Sequence, residues 1–126
     1  MSQFITIFLT ILLGIFCGTL GGGLGLGVTT LALPGFSILK LVPNIKTAIG
    51  TTLVSSPASW PAVYKYYKSG NVNLVLGVIY FITYLLFSYF GASISEKFSE
   101  KLSEKVLNYS ISAVHIFTGL YFFHVA

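Results

Sequence analysis

Two stretches of the chain carry groups that could bind a small anion without a charged side chain. Residues 18–27 read GTLGGGLGLG, although glycine costs a helix interior about 1 kcal/mol relative to alanine. Residues 50–61 read GTTLVSSPASWP, in which hydroxyl side chains recur at helical spacings beside two prolines. Backbone N–H groups at a helix end and neutral hydroxyls can both donate hydrogen bonds to an oxyanion.

The glycines divide into two groups by their spacing. Gly14, Gly18 and Gly22 fall at i, i+4 and i+8, a pattern that lets another helix approach closely. Residues 21–27 hold further glycines that this pattern does not explain, and they predict a helix break with exposed N–H groups. Helix packing alone remains the alternative explanation. The predicted substrate contacts of the break are Gly21, Gly22, Gly23 and Gly25.

The hydroxyl-rich stretch predicts the second half of the site. Hydroxyls inside a membrane helix often bond the carbonyl four residues earlier, so a purely structural role stays open as the alternative. Prolines cannot donate a backbone hydrogen bond and interrupt helices, which predicts breaks at Pro34, Pro57 and Pro61. The predicted substrate contacts of this stretch are Thr51, Thr52, Ser55 and Ser56.

The elements that must position these groups are membrane helices. Of the 126 residues 55% are hydrophobic and 8% charged, whereas a soluble domain carries about 25% charged residues. Polarity does not alternate as in a β-barrel, so we expect one all-α membrane domain over residues 1–126. Its apolar segments cover roughly 3–22, 24–42, 45–67, 71–94 and 105–125. They predict four to five transmembrane or re-entrant helices, broken near 21–27 and 57–61, in a multi-pass protein of the plasma or inner membrane.

The charged residues cluster at the ends of these segments. The repeat SEKF-SEKL-SEKV predicts an interfacial amphipathic helix over residues 95–106. The lysines can be divided into two groups, one at positions 40, 46, 97, 101 and 105 and the other at positions 65 and 68. Lysines are enriched on the cytoplasmic side of membrane proteins, which favours a cytoplasmic location for the larger group. The chain has no arginine and no basic patch with interleaved aromatics, so nucleic-acid binding is not expected.

Enzymatic chemistry lacks the residues it would need. The chain has no aspartate, and its three glutamates all lie in the repeat, so neither a catalytic triad nor an intramembrane carboxylate relay can be assembled. We expect no metal site and no cofactor. His115 and His124 lie nine residues apart on opposite sides of one helix and are interpreted as packing or interface residues. Cys17 is interpreted as a small core residue, with contact to a sulfur-containing substrate as the alternative.

Three motifs in order resemble the sulfite exporter TauE/SafE family. They are G-x-x-x-G-x-L-G-G-G-L-G-L-G from Gly14, P-x-x-K-x-A-x-G-T-T from Pro43, and YYKSGNVN from Tyr66 to Asn73. The resemblance covers about Gly14 to Tyr121 and departs from the family where Asn73 replaces a usual aspartate. It implies a permease for small sulfur-containing anions such as sulfite, sulfoacetate or thiosulfate. Family members usually contain two such repeats, so the single repeat implies a homodimer in the lipid bilayer.

Two functions of different classes follow. The first is an anion permease that works by alternating access about a site in the middle of the membrane. The second is a membrane scaffold or assembly subunit that transports nothing and oligomerises through Gly14, Gly18 and Gly22. The first predicts solute flux, and the second predicts association without flux.

Overall fold

The computed structural model describes residues 2–25, 28–98 and 104–125. Over these residues the chain forms six α-helices and a short 3-10 turn, with no strand. The helices are α1 (Gln3–Leu24), α2 (Val28–Ile38), α3 (Ile45–Leu53), α4 (Trp60–Lys68), α5 (Leu74–Phe98) and α6 (Glu104–Val125). Three of them, α1, α5 and α6, are long and apolar enough to cross a bilayer. The all-helical class is confirmed for the described residues, whereas the predicted number of four to five transmembrane or re-entrant helices is not.

Helices α1 and α5 form the centre of the fold and run parallel. A Cβ atom added to Gly14 would lie 2.7 Å from Thr83 Cβ, and one added to Gly18 would lie 2.8 Å from the Tyr84 carbonyl oxygen. Gly23 meets Gly91 one turn further along. Because the paired positions increase together, both helices begin at the same end of the bundle. We call this the N-terminal end of the pair.

Helix α2 returns the chain toward that end and stops at a left-handed residue. Lys40 has a φ of 53°, its N–H donates to Ser37 O, and the N–H of Leu41 donates to Phe36 O. These two bonds form a Schellman motif, here with lysine where glycine is usual. The predicted interruption at Pro34 is not seen, because α2 continues through this residue to Ile38. Phe36 anchors α2 in the core, where its ring packs edge-on against Tyr80.

Residues 45–68 form a hairpin of two short helices instead of one kinked segment. Helix α3 ends at Leu53, the 3-10 turn Pro57–Ser59 follows, and α4 begins with Pro61 in its first turn. Each arm has nine residues, about 14 Å of helix, roughly half the hydrocarbon thickness of a bilayer. The arms lie side by side, since a Cβ on Gly50 would lie 3.0 Å from Tyr66 Cβ. The hairpin therefore starts and ends at the same end of the bundle.

Helix α6 packs only loosely on this arrangement. None of its residues is buried, and its recorded side-chain link to the rest of the chain joins the Tyr121 and Ser37 hydroxyls at 3.1 Å. Ser37 lies with Thr6 of α1 around one cleft, so the C-terminal end of α6 lies near the N-terminal end of the pair. In the predicted interfacial helix over 95–106, the first four residues continue α5 and the last three begin α6; residues 99–103 lie outside the described residues.

Candidate functional site

The glycines of α1 lie against α5 in a close helix crossing. The Cβ of any larger residue at Gly22 would meet the backbone of Ser88, with the carbonyl carbon at 2.7 Å. At Gly21 it would meet the Tyr84 side chain, whose ring carbon Cζ would be 2.8 Å away. Helix α1 is continuous to Leu24, so the predicted exposure of backbone N–H groups at residues 21–23 is not present. The close approach of α5 accounts for the glycines there.

The end of α1 is the open part of the glycine stretch. Gly25 caps the helix in a left-handed conformation, with a φ of 72°, and its N–H donates to the Gly21 carbonyl oxygen at 2.9 Å. Gly23 lines a cleft of about 210 Å³ between α1 and the last turns of α5, whose lining is mostly apolar. Gly27 was also placed in the predicted break and lies outside the described residues. Of the four predicted glycine contacts, Gly25 is the one whose added Cβ would meet no described atom within 4 Å, while Gly23 borders both α5 and the cleft.

The hydroxyls of α3 are directed at backbone groups of the protein. Thr52 donates to the carbonyl oxygens of Ala48 and Ile49, and Ser55 donates to Thr52 O at 2.6 Å. Thr51 is fully buried, and its hydroxyl accepts the N–H of Asn73 at 3.0 Å. The Asn73 side chain in turn accepts the N–H of Leu76 in the first turn of α5. These bonds tie the hairpin to the start of α5, and an asparagine makes this helix cap as well as an aspartate would.

Ser56 differs from the other three hydroxyl residues. It lies at the turn between the hairpin arms, is half-buried, and accepts a long hydrogen bond of 3.4 Å from the Ser59 hydroxyl. Among the described residues no acceptor is recorded for the proton of its own hydroxyl. Trp60 fixes the turn by donating its indole N–H to Val54 O at 3.0 Å. The hairpin turn thus presents one hydroxyl donor partway along the bundle.

The two predicted halves of the site lie at different depths. Position 77 of α5 faces the hairpin, since a Cβ on Gly77 would lie 2.9 Å from Val54 Cβ. Gly21 and Gly22 face Tyr84 and Ser88. Seven to eleven residues of helix separate these levels, a distance of about 10–16 Å along α5. A single chain therefore does not bring the glycine group and the hydroxyl group together.

Sequence reasoning did not identify the polar groups in the core of the bundle. The Cys17 thiol and the Tyr80 hydroxyl share a hydrogen bond, and both residues are almost completely buried. The rings of Tyr80 and Tyr84 are 5.9 Å apart. Cys17 therefore lies in the core as predicted from its position beside a packing glycine, but with a polar partner. Tyr80 and Tyr84 lie four residues apart on one face of α5, and this spacing is the signal that could have singled them out.

Helix α6 carries an uncovered polar stripe. At about 100° per residue its members fall within roughly 60° of one another. They are Asn108, Ser112, His115 and Gly119, all exposed. His115 Nδ1 lies 2.9 Å from Ile111 O, which directs Nε2 away from the helix. A Cβ at Gly119 would meet nothing within 4 Å among the described residues. His124 lies on the opposite side of α6, as its spacing predicts.

The lysines are distributed differently from the sequence expectation. Lys46 and Lys65 line the same cleft, so residues 40–46 and 65–68 lie at one end of the bundle and not on opposite sides. The reason is the hairpin, which returns α4 to the end where α3 began. The described charged residues of the repeat, Glu96, Lys97, Glu104 and Lys105, lie at the other end, where α5 ends and α6 begins. Among the described residues, one end therefore carries four lysines without an acidic residue, and the other carries two lysines and two glutamates.

The described residues contain no group of three or more histidine, cysteine or acidic side chains that could hold a metal ion. What the arrangement offers is hydrogen-bond donors without carboxylates, and lysines at one end of three long apolar helices. Such groups can bind and guide anions.

Comparison with known proteins identifies the family. No curated protein and no solved structure matches the chain. A family model described as sulfite exporter TauE/SafE matches residues 10–126, nearly the whole sequence. This agrees with the three motifs described above and with the long apolar helices of the structure. The chain belongs to the sulfite exporter TauE/SafE family.

Proposed function

We propose that the protein is a membrane permease for small sulfur-containing anions of the sulfite, sulfoacetate or thiosulfate class. The observation that carries the proposal is the family match over residues 10–126. The lysine-rich end and the hydroxyl donors described above support an anionic substrate. A carrier whose lysines lie only at the ends of its apolar segments must stabilise an anion inside the membrane with hydrogen-bond donors and helix ends, which suits a small oxyanion.

Within this proposal the hairpin turn is the contact nearest the middle of the membrane. Re-entrant or broken helices expose backbone and hydroxyl groups where a transporter binds its substrate. Ser56 is the predicted contact whose hydroxyl proton has no acceptor recorded among the described residues. Thr51, Thr52 and Ser55 support the turn through their bonds to backbone groups. Gly23 and Gly25, at the far end of α1, border the exit of the same path.

We further propose that the active form is a pair of chains joined along the α6 stripe. In a bilayer each polar group that faces lipid costs free energy, so a spanning helix turns such groups toward another helix or a water-filled path. The stripe is self-complementary, because asparagine and serine each carry a donor and an acceptor, and His115 Nε2 accepts when Nδ1–H donates to Ile111 O. Gly119 would let the partner helix approach closely. The partner chain would also close the path that one chain leaves open, and alternating access would follow from rocking of the two chains.

The alternative of a scaffold that oligomerises through Gly14, Gly18 and Gly22 is less favoured, since α5 of the same chain covers these residues.

The transport test is uptake of ³⁵S-labelled thiosulfate by liposomes that contain the purified protein. We expect saturable uptake that unlabelled sulfite or sulfoacetate inhibits and chloride does not. Ser56→Ala should reduce this uptake about tenfold, whereas Ser59→Ala, the matched control one helical turn away, should change it little. Uptake no faster than in protein-free liposomes would refute the proposal.

A further inference from the structure

The Lys46–Lys65 cleft is an open surface cleft outside the substrate contacts described above. It has a volume of about 370 Å³ and lies between the first turn of α3 and the last turn of α4. Besides the two lysines it is lined by Ala62, Tyr66, Ser69 and Asn71. Both lysines are exposed, so their ammonium groups are available to a ligand from the aqueous phase.

The cleft contains two positive charges and no negative charge. The acidic residues that the structure describes are Glu96, in the last turn of α5, and Glu104, at the start of α6. Helix α5 is 25 residues long, so its far end is about 37 Å from this end of the bundle. Two ammonium groups in one cleft repel each other, and a bound anion between them would remove this repulsion. Asn71 and Tyr66 also line the cleft, and both residue types carry neutral hydrogen-bond donors.

Lys68 lies near the cleft but does not take part in it. It occupies the same last turn of α4 as Lys65, but its ammonium group lies 4.7 Å from the centre of the Tyr64 ring. It does not line the cleft. The chain thus provides a lysine of equal charge, on the same helix end, that is directed elsewhere.

We propose that the Lys46–Lys65 cleft binds a small tetrahedral or pyramidal oxyanion of the sulfate, sulfite or phosphate type. If the protein transports anions, the cleft would be the site where they first bind, and this role rests on the proposed transport function. Binding of the oxyanion to the cleft does not depend on transport. A free anion and the phosphate group of an anionic lipid share the chemistry that the cleft recognises, and the experiment separates these two sources.

The test is equilibrium binding of ³⁵S-labelled thiosulfate to the full chain in nanodiscs of phosphatidylcholine. Lys46→Gln and Lys65→Gln should each weaken binding about tenfold, as expected for loss of one charge-assisted contact. Lys68→Gln, the matched control, should bind within about twofold of the wild type. Equal weakening in all three variants would show a general surface potential and overturn the proposal.

A second arm identifies the ligand source. In nanodiscs that also contain phosphatidylglycerol, a site for free anions should keep its thiosulfate affinity. Any change in this affinity should be equal in the wild type and in Lys68→Gln. If phosphatidylglycerol abolishes thiosulfate binding, and is itself enriched around wild type but not around Lys46→Gln, then the cleft holds a lipid phosphate and the oxyanion proposal stands. Absence of both thiosulfate binding and lipid enrichment would overturn it. Because binding is read without flux, a protein that binds thiosulfate but does not move it would contradict only the transport proposal.

Discussion

Two helix faces of the bundle differ in how completely one chain covers them. Helix α1 buries its glycine face against α5, with close contacts from Gly14 to Gly23, about two and a half turns. Helix α6 buries no residue and leaves a stripe of polar and small side chains uncovered. Both faces carry small residues at helical spacings, so spacing alone does not tell which partner a face uses. The first face is satisfied within the chain, and we infer that the second requires another chain.

The largest effect should come from the covered face. Gly22→Ala places a methyl group against the Ser88 backbone, which cannot move away without separating α1 from α5. We expect a loss of about 3 kcal/mol in the free energy of unfolding, at the upper end for overpacking of a core. Unfolding by a denaturing detergent in mixed micelles measures it.

The matched control for this change is Gly119→Ala on α6. Nothing described lies within 4 Å of the added methyl group, and alanine favours a helix over glycine by up to about 1 kcal/mol. The unfolding free energy of the single chain should stay equal or rise. If both variants lose the same stability, the difference between the two faces is not real.

A smaller effect is expected on association through the uncovered stripe. Asn108→Leu and His115→Leu should each weaken pairing of chains by about 0.6–2 kcal/mol, the range for hydrogen bonds between membrane helices. Phe117→Leu, on the opposite side of α6, is the control. Energy transfer between labelled chains, diluted stepwise in liposomes, gives the association constants. Pairing unchanged in both stripe variants would place the interface elsewhere.

The smallest change is expected in transport, where Thr51 separates a structural hydroxyl from a substrate contact. Thr51→Val leaves the partly buried Asn73 N–H without its acceptor, which should cost about 1 kcal/mol of stability. Thr51→Ser keeps the acceptor and should retain most of it. The KM for thiosulfate uptake should be unchanged in both variants, since this hydroxyl is directed into the protein. A KM raised in Thr51→Val but not in Thr51→Ser would assign the hydroxyl to the substrate.

The contrast between the faces also explains what could be predicted from the sequence. The long helices α1, α5 and α6 follow from apolar length, a local property. Prolines have a clear local effect, so the division of residues 45–68 into two arms could be predicted. The return of α4 beside α3 could not, because it depends on contacts between residues far apart in the sequence. The grouping of Lys46 with Lys65 depends on that return and could not be read from lysine counts. Likewise, the spacing of Gly14, Gly18 and Gly22 indicates a close crossing without naming α5 as the partner.

The most direct test of a permease made of two chains counts the chains in each vesicle and measures sulfite uptake by the same vesicle. Liposomes carry a trapped sulfite-reactive dye, each chain carries one fluorophore, and bleaching steps give the number of chains per vesicle. We predict that vesicles with two chains take up sulfite and vesicles with one do not, and that His115→Leu with Asn108→Leu reduces the active fraction at equal density. Uptake by vesicles that hold a single chain would contradict the requirement for a pair. No uptake at any number of folded chains would contradict the permease itself.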